Sequence, residues 1–510
     1  MDIEYKRQQL QKNLDSKKSP DMRNVLGQFS TPYTLAYDIL SYLRTLFSDE
    51  TEISFLEPAI GTGVFYSALL SVWGRAPRKA LGFEIDSHYS IPSQSLWSGT
   101  NLQIIEDDFF NHTPAGEQFS LLISNPPYSR HHHIPTQQKL QLQKMVYETT
   151  GIKISGLAGL YCYFMILSMR WLKPGAISCW LIPSEFMEVN FGKALKQFLL
   201  ENVNLLRIHR FLPEDLQFSD ALVTSSIVVF KNEPPQRTQI MFSEGGRLTA
   251  PSIVQNINYS SLAASKKWTS IDTPEDTNAM KLGDYFEVKR GLATGNNDFF
   301  IMNQDVIDKY EIPSAFLEPI LPSPKAIRED IVEPDSSGIP LFVEKRYLFS
   351  CDVSEDEIME KYPKLWRYIQ EGIQQGIPQG YICSRRTPWY SCEKRTPAPF
   401  LVNYMGRDNT HKKAFRFILN NSRALATNVF LLLYPKPFIR EALTDNAILK
   451  EMLHALNGIP SETIMRCGRV YGGGLCKLEP KELLNTPIDN ISNILGQCPR
   501  RMEQGELFSM

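Results

Sequence analysis

Four short apolar segments follow one another early in the chain, and each gives way to an acidic or amide side chain. They are Ile53–Leu56 before Glu57, Ala80–Phe83 before Glu84, Leu102–Ile105 before Glu106-Asp107-Asp108, and Phe119–Ile123 before Ser124-Asn125. Short apolar runs bounded by polar residues are typical of buried strands. Because the carboxyl ends of parallel strands share one crevice in a doubly wound sheet, we expect these polar side chains to surround one ligand site.

The turn after the first segment, Glu57-Pro58-Ala59-Ile60-Gly61-Thr62-Gly63, leads into an apolar run with helical spacing from Val64 to Trp73. A strand, a glycine turn and a helix make the first half of a Rossmann-like crossover. Glu84 lies 21 residues beyond Gly63, close to the roughly 20-residue offset at which an acid meets ribose hydroxyls. The first half of the chain is therefore predicted to be an α/β unit with a Rossmann-like sheet.

The glycine turn differs from the fingerprint of dinucleotide-binding proteins. It lacks the full GxGxxG pattern, and it places Glu57 where a pyrophosphate would be repelled. A cationic nucleoside without phosphate gains from such an acid. S-Adenosyl-L-methionine, which carries a sulfonium and an ammonium group, fits this description.

The fourth segment ends in the stiff turn Asn125-Pro126-Pro127-Tyr128. Its two prolines fix φ and lack N–H donors, so the backbone carbonyls of the turn cannot enter a regular ladder. The Asn125 amide oxygen and the Pro126 carbonyl can each accept one hydrogen of an exocyclic amine, and Tyr128 offers a stacking face to a planar base. Taken alone, Asn-Pro-Pro is equally compatible with a proline-terminated strand followed by a surface turn.

The order of these motifs resembles that of the TaqI-type amino-DNA methyltransferases in their γ arrangement. The resemblance includes Gly27…Thr31-Pro32, Leu56-Glu57-Pro58-Ala59, Glu84-Ile85-Asp86, Asp108-Phe109 and Asn125-Pro126-Pro127-Tyr128, and it continues with Leu160-Tyr161-Cys162-Tyr163-Phe164 and with Phe218, twelve residues before Phe230. It implies an S-adenosylmethionine-dependent methyltransferase that acts on adenine N6 in DNA, within a type II restriction–modification system. We expect this methyltransferase sheet to be followed by a C-terminal mixed α/β domain that recognises DNA.

The resemblance also implies roles for individual residues. The predicted cofactor-binding residues are Thr31, Glu57, Ala59, Gly61, Glu84, Asp108, Phe109, Pro127 and Phe164. The predicted catalytic residues are Asn125, Pro126, Tyr128 and Phe218. Two aromatic rings are expected because extracting a base from a duplex costs a few kcal/mol, whereas one aromatic stack returns about 1–3 kcal/mol.

The second half of the chain has a different composition. We predict a boundary at the polar, proline-containing segment Asn232–Gln236, with a catalytic domain over residues 1–235 and a DNA target-recognition domain over residues 236–510. Between Ser384 and Arg423, nine Lys or Arg accompany two acidic residues and six interleaved aromatics, although the net charge of the whole chain is only −2. Such a run is also typical of a solvated face, but beside a base-flipping turn it favours a DNA surface. The predicted DNA contacts are Arg130, Arg290, Lys412, Lys413, Arg416 and Arg469.

Other sequence features bear on location and metals. The eight cysteines are scattered without a CxxC pair, no apolar stretch approaches the roughly 20 residues of a membrane span, and the first twenty residues lack a signal-peptide core. We therefore expect a cytoplasmic prokaryotic protein without a membrane partner. The adjacent residues His131, His132 and His133 cannot all face one metal on a helix or strand, so we expect no metal site and a loop that touches DNA phosphate or solvent.

The expected partners are double-stranded DNA and, because no nuclease pattern such as PD…ExK is evident, a separate restriction endonuclease. The protein is expected to be a monomer. Two alternatives stay open at this point: an RNA or protein-glutamine methyltransferase, and a DNA-specificity module that binds without catalysis. The DNA sequence recognised cannot be read from the chain.

Overall fold

The computed structural model describes residues 3–19, 23, 27–114, 116, 118–129, 133–188, 192–212, 215, 217, 224–265, 267–269, 279–342, 344–408, 413–471, 475–488 and 491–495. The chain divides into two compact units: the first comprises residues 1–274 together with residues 471–474, and the second comprises residues 275–470 and 475–510.

Helices and strands alternate along the first unit. Its helices are α1 Ile3–Ser16, α2 Tyr33–Arg44, α3 Val64–Trp73, α4 Ser87–Trp97, α5 Thr136–Thr150, α6 Leu160–Leu167, α7 Lys193–Glu201 and α8 Tyr259–Ala264. Its strands are β1 Ser54–Glu57, β2 Lys79–Glu84, β3 Leu102–Glu106, β4 Phe119–Ser124, β5 Leu172–Pro183, β6 Asn204–Arg210, β7 Ser225–Lys231, β8 Gln239–Gly246 and β9 Pro251–Asn258.

The described strands of the first unit form one sheet in the order β3-β2-β1-β4-β5-β7-β6-β8-β9. Strands β3, β2, β1, β4 and β5 are parallel, and β7 runs antiparallel between β5 and β6. The strand order therefore reverses between β1 and β4, which is the switch point where open α/β sheets bind ligands. The predicted α/β, Rossmann-like sheet is confirmed.

The four strands predicted from the apolar segments are β1 to β4, and their ends agree with the sequence expectation to within one residue. All four residues of β1 are buried, because this strand lies between β2 and β4 at the centre of the parallel half. The predicted helix Val64–Trp73 is α3, with the same bounds. Gly63 precedes it at φ +80°, where a Cβ atom would lie 2.7 Å from Trp97 Nε1, so both the conformation and the packing require glycine.

The first unit extends well past the predicted boundary at residues 235/236. Strand β8 pairs in parallel with β6, and β9 pairs antiparallel with β8, so residues 239–258 complete the same sheet. The segment Asn232–Gln236, predicted to link two domains, connects β7 to β8 within that sheet. Its polar, proline-containing composition is that of any surface connection, and the boundary prediction was therefore about 40 residues too early.

The second unit contains shorter elements. Its helices are α9 Leu282–Tyr285, α10 Asn297–Phe300, α11 Gln304–Tyr310, α12 Glu355–Lys361, α13 Pro363–Gln374, α14 Pro437–Arg440, α15 Asn446–Gly458, α16 Ser461–Cys467, α17 Pro480–Leu484 and α18 Ile491–Ile494. Its strands are β10 Phe286–Arg290, β11 Ile301–Met302, β12 Leu317–Pro319, β13 Ile331–Val332, β14 Tyr347–Phe349, β15 Phe400–Asn403, β16 Met405–Arg407, β17 Phe417–Asn420, β18 Phe430–Pro435, β19 Arg469–Tyr471 and β20 Leu475–Lys477.

Small sheets organise these elements. A five-stranded sheet has the order β10-β18-β15-β17-β13, and two three-stranded sheets have the orders β11-β14-β12 and β16-β20-β19. In the five-stranded sheet, antiparallel pairs predominate and β13 alone runs parallel to its neighbour β17. The second unit is therefore mixed α/β, as predicted for the C-terminal half.

Among the helices that the structure describes, none combines the length and the apolar composition needed to cross a lipid bilayer. Within the same part of the chain, no three His, Cys, Asp or Glu side chains lie close enough together to hold a metal ion.

Candidate functional site

A cavity of about 310 Å³ lies at the carboxyl ends of the parallel strands in the first unit. All nine residues predicted to bind a cofactor line it: Thr31, Glu57, Ala59, Gly61, Glu84, Asp108, Phe109, Pro127 and Phe164. Asn125 lines it as well. Its position at the reversal between β1 and β4 is the one that the strand order predicts for a ligand.

The glycine turn brings backbone to the floor of this cavity. Gly61 adopts φ +55°, its N–H donates to Glu84 Oε2 at 2.9 Å, and its carbonyl accepts from the Ser93 hydroxyl at 3.0 Å. The turn is thus tied to β2 on one side and to α4 on the other. A glycine serves here because an L side chain rarely adopts this φ.

Glu84 ends β2 and is held from both sides. Its Oε2 accepts from Gly61 N–H and its Oε1 accepts from Asp86 N–H at 3.0 Å. Burial raises the pKa of Glu84 even though these two backbone donors favour the charged form. The carboxylate is therefore fixed in orientation before any ligand arrives, which reduces the entropy cost of binding.

Glu57 ends β1 and is only 2% exposed. Its Oε2 finds no hydrogen-bond partner among the described residues. Burial, followed by the charge of Glu84, raises the pKa of Glu57 well above its ordinary value. An orphaned buried carboxyl beside a second carboxyl is costly without a compensating cation or donor, so this corner of the cavity suits a positively charged ligand.

The opposite wall of the cavity is acidic and aromatic. Asp108 follows β3, accepts from Phe110 N–H at 3.0 Å, and has a pKa that burial raises. The Phe109 and Phe164 rings stack at 5.8 Å and 17°, and Phe110 lies 4.5 Å from Phe164. Ile85 also lines the cavity and remains 67% exposed. A planar, apolar ring system would cover these surfaces.

The N-terminal helix α1 packs over the glycine turn. Arg7 Nη1 donates to the Thr62 hydroxyl at 3.0 Å, and that hydroxyl donates to Gln11 Oε1 at 2.5 Å. Further along, Lys18 pairs with Asp86, two residues beyond Glu84. Gln11 is itself part of the cavity lining. These contacts were missed from sequence, because the polar arm offered no motif that would have joined it to this turn.

Asn125 follows β4, and its amide is oriented by the chain segment around Phe29. The Nδ2 group donates to the Phe29 carbonyl and to the Thr31 hydroxyl, both at 3.0 Å. With both amide hydrogens occupied, Oδ1 is buried and has no partner in the described part of the chain. The Asn125 side chain therefore presents a free acceptor and no free donor.

The Thr31-Pro32 pair does not act as its local sequence suggests. A threonine before a proline is typical of a helix cap, but α2 begins at Tyr33, Pro32 occupies the cap position, and the cap makes no side-chain hydrogen bond. The Thr31 hydroxyl accepts from Asn125 instead. The local Thr-Pro pattern indicated the helix start correctly, but it could not reveal a partner 94 residues away.

Tyr128 is anchored on three sides. Its N–H donates to the Gly27 carbonyl at 3.1 Å, its hydroxyl donates to the Leu181 carbonyl at 3.2 Å, and its ring lies 5.6 Å from the Phe29 ring. Gly27 adopts φ +67°, and a Cβ there would lie 2.5 Å from Tyr128 N. Glycine at this position therefore lets the two chain segments approach each other. The contact between the Phe29 and Tyr128 rings was not predicted from the sequence.

Three predicted site residues, Phe218, Arg130 and Lys412, lie outside the described residues, as do His131 and His132. Pro126 is buried in the turn between Asn125 and Pro127.

The other four cations predicted to contact DNA have partners within the chain. Arg290 lies over the Tyr404 ring at 3.9 Å and donates to Asn428 O. Arg469 pairs with Glu482 at 2.9 Å. Lys413 donates to Asn457 O at 2.6 Å. Arg416 donates to the carbonyls of Arg328 and Ile327 and faces Asp330.

The aromatics between residues 384 and 423 do not form an exposed set. Five of the six rings are buried: Tyr390, Phe400, Tyr404, Phe415 and Phe417. Phe400 and Phe417 belong to strands of the five-stranded sheet, where their side chains face the core. The aromatics of this segment therefore belong to the packed cores of the second unit rather than to a stacking surface.

Two family models match successive parts of the chain. Residues 70–218 match the model described as "Eco57I restriction-modification methylase", and residues 260–506 match "Type II methyltransferase M.Eco57I, C-terminal domain". The type II methyltransferase M.AccI of Acinetobacter calcoaceticus is 26% identical over 91% of this chain and 85% of its own length. M.XamI of Xanthomonas campestris pv. amaranthicola is also 26% identical, with the same two coverages.

A solved structure extends the likeness to the fold. The type IIL restriction–modification enzyme MmeI, solved in complex with DNA, superposes with a TM-score of 0.56 at 11% identity over 93% of this chain and 68% of its own. At that identity the match shows the fold alone. The two family models and the curated relatives together support a type II restriction–modification methyltransferase, built on an α/β methyltransferase sheet with a C-terminal mixed α/β region.

Proposed function

We propose that this protein transfers a methyl group from S-adenosyl-L-methionine to the N6 amine of an adenine flipped out of double-stranded DNA. The observation that carries the proposal is the Asn125 amide, whose hydrogens are both occupied while its buried Oδ1 remains free at a cavity lined by carboxyl groups. The order of the motifs along the chain resembles that of the TaqI-type enzymes, and this resemblance is the basis for proposing adenine as the target and the γ arrangement.

The cavity fits the proposed cofactor. The carboxyl groups of Glu57, Glu84 and Asp108 surround it, and burial raises the pKa of each. A ligand carrying two positive charges offsets that cost, whereas a pyrophosphate would increase it. S-Adenosylmethionine, when bound, supplies an electrophilic methyl group on a sulfonium centre.

Individual residues then take distinct roles. The fixed Glu84 carboxylate accepts from the ribose hydroxyls, and Asp108 with the Phe109–Phe164 stack receives the adenine ring. Ile85, exposed at the cavity, would supply an apolar contact to that ring. Glu57, with its unpartnered Oε2, would hold the positively charged amino-acid part of the cofactor.

The catalytic turn acts on the target amine without a strong base. Asn125 Oδ1 and the Pro126 carbonyl each accept one hydrogen bond from the N6 amine. These two hydrogen bonds favour a more tetrahedral nitrogen and direct its lone pair toward the methyl group. Because Nδ2 is held by Phe29 and Thr31, the amide cannot rotate to present a donor to that amine. Tyr128 and Phe218 stack on the flipped base, and two rings offset the cost of extrusion better than one.

The second unit is assigned target recognition, and the first unit is assigned catalysis. Arg130, Arg290, Lys412, Lys413 and Arg469 remain candidate DNA contacts. In this reading the protein protects host DNA in the cytoplasm from a separate restriction endonuclease. M.AccI and M.XamI are named type II methyltransferases, and the match covers 85% of the length of each, which supports this role.

The test is transfer of tritiated methyl from S-adenosylmethionine to duplex DNA, RNA and protein in parallel, with Asn125→Ala as the matched control. We expect label in DNA alone, and N6-methyladenine after digestion to nucleosides. Label in RNA or protein, or N4-methylcytosine in the digest, would overturn the proposed substrate. DNA binding without any transfer would indicate a specificity module. Methylation-sensitive sequencing of DNA from an expressing host then gives the site.

A further inference from the structure

Tyr381 and Arg385 form an exposed aromatic–cation pair in the second unit. Tyr381 is 76% exposed, the largest value among the exposed large hydrophobic side chains of the described residues. The Arg385 guanidinium lies 3.6 Å from the centre of its ring, and Arg385 Nη1 donates to the Tyr381 carbonyl at 2.5 Å. The two side chains are therefore held together at the surface in one arrangement.

The backbone that carries this pair is held in place by short helical turns, buried side chains and hydrogen bonds. Two short 3₁₀ turns, Ile377–Gln379 and Cys383–Arg385, flank Tyr381, and Ile377 and Cys383 are buried. Arg386 donates to the Ala293 and Thr294 carbonyls at 2.6 and 2.8 Å. The exposed ring is thus supported by a packed base and does not belong to a loose loop.

The glycine loop of residues 291–297 forms that base. Gly295 adopts φ +96°, and a Cβ there would lie 2.8 Å from Cys383 Sγ. The partner of this loop within the second unit is the Cys383–Arg386 segment.

The segment that carries the pair is polar and contains no acidic residue. The 21 residues from Gly372 to Cys392 include two arginines and no Asp or Glu. Besides Tyr381 and Arg385, its exposed polar side chains are Gln374, Gln375, Gln379, Ser384 and Thr387. Amide, hydroxyl and guanidinium groups are the ones that contact phosphates and base edges in DNA complexes.

We propose that Tyr381 and Arg385 form a DNA contact of this protein, the ring packing on a base or sugar and the guanidinium pairing with a phosphate. The inference rests on the proposed DNA methyltransferase function and names a surface for its substrate. The pair differs from Arg290 over Tyr404 in the exposure of the ring, because the Tyr404 ring is buried whereas the Tyr381 ring is 76% exposed. A prearranged pair also loses less side-chain entropy on binding.

The experiment compares Tyr381→Ala, Arg385→Ala and Arg385→Lys with the wild-type protein in binding a pool of short DNA duplexes of random sequence at several salt concentrations. Phe438→Ala and Arg440→Ala serve as controls, since these side chains are also exposed in the second unit. Thermal unfolding and S-adenosylmethionine affinity check that each variant is folded.

We expect Tyr381→Ala to weaken binding about fivefold or more, the lower end of what a base–aromatic stack contributes. Arg385→Ala should also flatten the slope of log affinity against log salt by about 0.9, whereas Arg385→Lys should retain the slope. Wild-type binding that both alanine variants preserve would overturn this inference alone. A wild-type protein that bound no duplex would overturn the proposed function together with it.

Discussion

The cofactor-binding residues of the first unit and the basic segment of the second unit were both predicted from the sequence, but they differ in where the structure places their side chains. At the cavity, all nine predicted cofactor residues come together. In the basic segment, five of six aromatics are buried and the described cations Lys413 and Arg416 bond to the chain itself. The residues predicted at strand ends thus line one cavity, whereas the basic segment combines buried aromatics with cations that bond to the chain.

The physical reason lies in how side-chain directions are set. A residue that follows a parallel strand is placed by the sheet itself, because neighbouring strands end at the same edge. A basic residue in a meandering antiparallel region points inward or outward according to strand register and tertiary packing, which composition does not report.

The largest effect is expected from Asn125→Ala. The substitution removes the free Oδ1 acceptor, so methyl transfer should fall by more than tenfold, or roughly 1.4 kcal/mol of barrier. Cofactor affinity should stay close to that of the wild-type protein, since Asn125 is assigned to the target amine. Single-turnover transfer and calorimetry measure the two quantities. A variant that kept more than about a tenth of the rate would remove Asn125 from the catalytic role.

Glu84→Ala tests the cofactor side of the cavity. A carboxylate that bridges two ribose hydroxyls makes charge-assisted hydrogen bonds worth about 1.5–3 kcal/mol each, so affinity for S-adenosylmethionine should fall at least several-fold. Glu106→Ala is the matched control: Glu106 is the register partner of Glu84 on β3, but it is absent from the cavity lining. Equal affinities for the two variants in calorimetry would leave Glu84 an ordinary turn acid.

The predictable part of this protein is the part in which local pattern and topology agree. Apolar runs of strand length gave β1 to β4, and the glycine turn gave α3 with its bounds. What could not be predicted depends on contacts between distant segments, such as the bond from Asn125 to Thr31 and the placement of α1 over Thr62. The late strands β8 and β9 were missed for a similar reason, because only their pairing with β6 reveals them.

A smaller effect is expected of Glu57 on the pH dependence of the free energy of unfolding. Burial raises the pKa of Glu57 well above its ordinary value, so the folded protein holds this proton more tightly than the unfolded chain does. Without cofactor, the free energy of unfolding should therefore fall as pH rises through that raised pKa. Glu57→Gln should flatten this dependence and weaken cofactor binding, whereas the exposed Glu50→Gln should do neither. Chemical denaturation across pH measures it, and identical profiles for wild type and Glu57→Gln would contradict the assignment.

The smallest effects are expected in the basic segment, where substitution of Arg416 should change stability and substitution of Lys413 should change DNA binding. Arg416 bonds to the Arg328 and Ile327 carbonyls and is half-buried, so Arg416→Ala should lower the free energy of unfolding by about 1–3 kcal/mol. Lys413 is exposed and makes one bond to Asn457 O. A flexible ammonium of this kind can turn to a phosphate at little cost.

Lys413→Ala should therefore leave stability nearly unchanged and reduce the slope of log affinity against log salt by about 0.9, because one phosphate contact is lost. The loss should be similar for all DNA sequences, since phosphates carry no base identity. Neutralising Lys412 in addition should flatten the slope further without changing affinity for S-adenosylmethionine. Filter binding at several salt concentrations, on cognate and scrambled duplexes, measures the slope. If it did not change, Lys412 and Lys413 would be excluded from the DNA interface, and their charges would be those of a solvated face.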